Sequence, residues 1–73
     1  MDDHTQENVN YLKEQGYVYD EQAGVWFKEG LPEMYFRGIT SYVIDSFQGE
    51  FFKKRVRDIE LMDLSFIYKD LNY

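Results

Sequence analysis

Tyr17-Val18-Tyr19-Asp20-Glu21-Gln22-Ala23-Gly24-Val25-Trp26-Phe27-Lys28 is the stretch on which the reading of this chain turns. Two β-prone runs flank a polar loop that ends in glycine, the pattern of an antiparallel hairpin whose Gly24 takes the left-handed conformation. Cross-strand pairs among Tyr17, Tyr19, Trp26 and Phe27 would each add from a fraction of a kcal/mol to about 1 kcal/mol. Both faces of these strands carry apolar side chains. One face must pack on a core, so the other asks for cover from a helix or from another subunit.

Working outward, residues 3–15 offer Asp2, Asp3 and Thr5 as capping groups, space Val9 and Leu12 three apart, and stop at Gly16. This predicts a short N-terminal helix with a thin apolar stripe. After the hairpin, Pro32 can start a helix and Gly38 can stop one, so one or two turns are expected from Pro32 to Arg37. Ile39 to Phe47 is rich in β-branched and aromatic residues and closes at Gln48-Gly49. It reads as a third strand. Residues 51–60 fit a helix better than a strand, because Phe52, Val56, Ile59, Met62, Phe66 and Ile67 fall on one stripe at 100° per residue, whereas strand alternation mixes charge and apolar groups on both sides. Asp63 could cap a separate last helix over 63–71, with a strand over 51–60 as the alternative. The expected fold is α+β: a short N-terminal helix, a small antiparallel sheet of about three strands including the 17–28 hairpin, and a C-terminal amphipathic helix. Residues 1–73 are expected to make a single domain, since one core needs most of so short a chain.

Composition narrows the function. There is no cysteine, so neither a disulfide framework nor a thiolate metal site is available, and the only histidine is His4. A core of this size rarely supplies more than roughly 3–5 kcal/mol, and small folds gain the rest from staples, metals or association. With no staple, a homodimer or another homo-oligomer is expected. No run of 18 apolar residues exists and the N-terminus is acidic, so the sequence points to a cytoplasmic protein with no membrane segment and no secretory signal.

The net charge is −6, and all of it falls in the first half. Residues 1–36 carry Asp2, Asp3, Glu7, Glu14, Asp20, Glu21, Glu29 and Glu33 against Lys13 and Lys28, while residues 37–73 balance six acids with six bases. Direct binding to nucleic-acid phosphates asks for the opposite sign. The glycines form no phosphate cradle, lacking both G-x-G-x-x-G and G-x-x-x-x-G-K. Asp58, Glu60 and Asp63 do not follow a calcium-loop spacing and read as solvated charges paired with Lys54 and Arg57. No catalytic residue, metal or cofactor is expected, because a nucleophile would need a base held within hydrogen-bond reach and His4 lies near the terminus.

The aromatic set carries more. One Trp, seven Tyr and six Phe exceed what so small a core can hide, and tyrosine and tryptophan are enriched where proteins meet. The expectation is a non-catalytic interaction module, binding a partner protein through an aromatic patch rimmed by carboxylates: Tyr17, Tyr19, Asp20, Glu21, Trp26 and Phe27. A basic or nucleic-acid-binding partner would suit that rim. The alternative is a nucleic-acid-mimicking inhibitor of a DNA- or RNA-processing protein, of the kind found in mobile elements, whose carboxylates stand where phosphates would.

Overall fold

The computed structural model describes residues 4–62. Helix α1 spans Thr5–Glu14, strands β1 (Val18–Asp20) and β2 (Val25–Phe27) form the hairpin, and helices α2 (Glu33–Gly38), α3 (Ser41–Ser46) and α4 (Gly49–Glu60) follow. Mixed α and β structure is as expected, with one correction to the sheet described below. No described helix is long and apolar enough to cross a membrane.

The junction between α1 and β1 follows from Gly16. Its φ of +96° lets the chain reverse, so that the Gly16 N–H donates to the Lys13 carbonyl (3.1 Å) and the Tyr17 N–H to the Leu12 carbonyl (2.9 Å). This paired closure satisfies carbonyls that a helix end would otherwise leave open. Leu12 and Tyr17, the residues it ties together, are both in the core. At its other end α1 begins after His4, which makes no side-chain capping bond. Thr5 lies inside the helix rather than capping it, and its hydroxyl donates to Asp45 (2.9 Å).

The hairpin pairs Val18 with Phe27, Tyr19 with Trp26 and Asp20 with Val25. The four-residue loop is organised by Asp20, whose Oδ1 accepts the N–H groups of Gln22 (3.0 Å) and Ala23 (3.2 Å), while its carbonyl accepts from Gly24 (2.7 Å). Gly24 has a φ of +70°, the left-handed geometry expected of it.

The sheet has two strands among the described residues, not three. Residues 39–47 form α3 and its flanks. Their apolar members explain why: Ile39, Val43, Ile44 and Phe47 all reach the core or pack against it. A strand would throw Val43 and Ile44 to opposite faces, whereas a helix keeps 43, 44 and 47 on one side. Tertiary cover on one side therefore overrides local β preference. The buried amide of Asn8 fixes the choice, its Nδ2 donating to the carbonyls of Ile44 and Phe47 at 2.6 Å each. These are carbonyls at the C-terminal end of α3 that have no onward helical partner.

Helix α2 covers the predicted segment and ends at Gly38, though Gly38 does not take the left-handed conformation. Gly38 is needed for a different reason: a Cβ there would lie 2.9 Å from Cγ2 of Ile59 on α4. In α4 the expected stripe is present, with Phe52, Val56 and Ile59 buried, so 51–60 is helix and not strand. The core gathers Leu12, Tyr17, Trp26, Ile39, Val43, Ile44, Phe52, Val56 and Ile59. The helix expected over 63–71 lies outside the described residues.

Candidate protein-contact site

Alternation along the hairpin sorts its side chains. Tyr17 (2% exposed) and Trp26 (7% exposed) point into the core, so neither is available on the surface. Tyr19 packs its ring on Trp26, with centroids 5.4 Å apart, and stays half exposed at the margin of that inner face. The outer face holds Val18, Asp20, Val25 and Phe27. Here α2 supplies part of the cover that an apolar outer face requires: Phe27 meets Phe36 edge to face at 5.8 Å.

That cover is incomplete. Between the hairpin's outer face and α2 lies a hollow of about 310 Å³ lined by Asp20, Ala23, Val25, Phe27, Glu33 and Phe36. Its floor is apolar and two carboxylates stand at it. Of the residues singled out from sequence, Asp20 and Phe27 come together here, Glu21 is exposed on the adjoining loop, and Tyr19 lies on the other face. The contact patch expected from sequence did not include Ala23, Val25, Glu33 or Phe36. Period-two spacing from Phe27 would have placed Val25 on the same face, but nothing local ties Phe36 to the hairpin.

Behind the hairpin, Tyr17 is tied to the far end of α4. Its hydroxyl donates to the Glu60 carboxylate, Lys28 lies 3.6 Å from the same carboxylate, and the Lys28 ammonium sits 5.3 Å from the centre of the Tyr17 ring. Burial first, and then the hydrogen bond and negative charge of Glu60, hold the Tyr17 phenol well above its usual pKa. A phenol kept neutral in this way is a structural donor, not a base or nucleophile.

The other chemical candidates are spoken for. Asp58 pairs with Lys54 at 2.9 Å and Glu60 serves Tyr17 and Lys28, while Asp63 lies outside the described residues. No cluster of three or more His, Asp or Glu among the described residues could hold a metal ion. A second hollow, of about 180 Å³, is lined by Phe47, Phe51, Lys54, Arg55 and Asp58. Compared with known proteins, the chain matches no family model, and no curated protein or solved structure is significantly similar to it.

Proposed function

We propose that this chain is a non-catalytic protein-contact module, working as a homodimer, that docks a partner's apolar side chain in the hollow between the hairpin and α2. One observation carries the reading: Val25, Phe27 and Phe36 make an apolar floor beside the carboxylates of Asp20 and Glu33. A floor of this kind gains by excluding water, and carboxylates beside it favour cations flanking the incoming group. The site is therefore complementary to an apolar side chain with Lys or Arg next to it.

The test is titration with a short peptide holding one Phe between Arg residues, followed by NMR of the Ala23 and Val25 methyl groups and the Phe27 and Phe36 rings. Those signals should move together and saturate, and Phe27→Ser should abolish the change. Shifts scattered over the surface, or none, would defeat the reading. The phosphate-mimic reading predicts the reverse ranking, with Asp20→Asn and Glu21→Gln together costing more affinity than Phe27→Ser.

A further inference from the structure

The partner chemistry that the hollow asks for is present on the chain itself. Helix α4 buries Phe52, Val56 and Ile59 and turns Phe51, Lys54, Arg55 and Asp58 outward, at helical spacings of three, four and seven. Phe51 is 75% exposed, a large ring left open among the described residues. Lys54 is engaged with Asp58, but Arg55 makes no ion pair among the described residues. Helix α4 carries Lys53, Lys54, Arg55 and Arg57 against Glu50, Asp58 and Glu60, a net charge of +1, whereas the charged residues lining the hollow are the two carboxylates Asp20 and Glu33. The two surfaces are thus opposite in charge and matched in their apolar content.

They are also apart on one molecule. Glu60, at the end of α4, is the residue that touches Tyr17 and Lys28 of the hairpin. Phe51 stands nine residues earlier, roughly 13 Å back along the helix axis. Within one chain it lines the second hollow, not the first.

We infer that the occupant of the hairpin–α2 hollow is the outward face of α4 from a second copy of this chain, with Phe51 entering over Val25, Phe27 and Phe36 and Arg55 meeting Glu33. This rests on the reading of the hollow as a protein-contact site and names its partner. Glu33 is free to take part: its carboxylate lies 3.8 Å from Arg37 with both side chains mostly exposed, a pairing worth little in water. Two such contacts related by a two-fold axis close a dimer, and a single contact repeated without that axis builds longer species.

Sedimentation equilibrium over a range of concentrations tests the inference. The mass should rise above that of one chain, and Phe51→Ser should weaken association by roughly thirtyfold or more, as expected of a central aromatic anchor. Because Phe51 is exposed in the single chain, that variant should keep the parent's thermal midpoint at dilutions where both are monomeric and fall below it only where the parent associates. Glu33→Lys and Arg55→Glu should each weaken association by about three- to tenfold, and the double variant, which restores opposite charges across the contact, should recover most of the loss. A chain that stays monomeric at all concentrations overturns the inference, as does a double variant weaker than either single one. If the chain is monomeric but the Arg-Phe-Arg peptide still moves the Val25 and Phe27 signals, the second copy and the homodimer are both excluded and only the contact site stands. If neither is seen, both fall.

Discussion

The two sides of this small molecule close over apolar surface in different ways. Where α1 meets α3, the seam is locked by a polar group: Asn8, only 2% exposed, donates its amide to the carbonyls of Ile44 in α3 and of Phe47 just beyond it. Where the hairpin meets α2, the seam is held by ring contact, Phe27 on Phe36, and it stays open to water. A buried directional bond admits one arrangement and is expensive to leave unmade, whereas an apolar contact tolerates exchange of one greasy partner for another. The first side is closed by a directional bond, and the second is left open.

If this contrast is right, Asn8→Ala should be the most damaging of the changes that follow. It strips the donors from two carbonyls and leaves a small void, and should cost about 2–4 kcal/mol in denaturant unfolding. A loss below about 1 kcal/mol would mean that the seam does not depend on the amide. Gly38→Ala comes next. Its gain in helix propensity, about 1 kcal/mol, is set against displacement of the buried, branched Ile59 side chain, which should leave a net loss of about 1–2 kcal/mol. A thermal midpoint above the parent's would show that Ile59 gives way freely.

Tyr17→Phe should cost about 1 kcal/mol near neutral pH, the worth of one hydrogen bond to a charged acceptor that is itself partly solvated. Its signature is in pH. The phenol's folded pKa is raised above its ordinary 10.0, so its contribution is complete below about pH 10 and is lost as pH climbs from there toward the folded value. The parent should therefore lose stability above pH 10 by a component absent from Tyr17→Phe, and parallel stability curves for the two proteins would refute the Glu60 bond. Smallest of all, Tyr42→Ser, on an exposed ring of α3, should shift stability by less than about 0.5 kcal/mol.

Much of the fold is legible in sequence where one residue settles the geometry locally. Gly24 with Asp20 fixes the hairpin, Gly16 ends α1, and the spacing of Phe52, Val56 and Ile59 makes α4 a helix. Residues 39–47 fail the same treatment, because Val43 and Ile44 favour a strand by type and become helical only against a wall built by α1 and α4. The candidate site divides the same way. Asp20 and Phe27 are found by alternation within the hairpin, but the inward turn of Trp26 and the arrival of Phe36 depend on a long-range packing decision. Aromatic abundance by itself does not say which rings are spent on the interior.

Tyr17 closes α1 through its backbone N–H and is also the first inward-facing side chain of the hairpin. Helix and hairpin therefore cannot fray independently at that point, since opening either one withdraws a bond or a ring from the other. In deuterated solvent the amides of Gly16 and Tyr17 should exchange together and as slowly as those at the centre of α1, marking residues 5–27 as one cooperative unit.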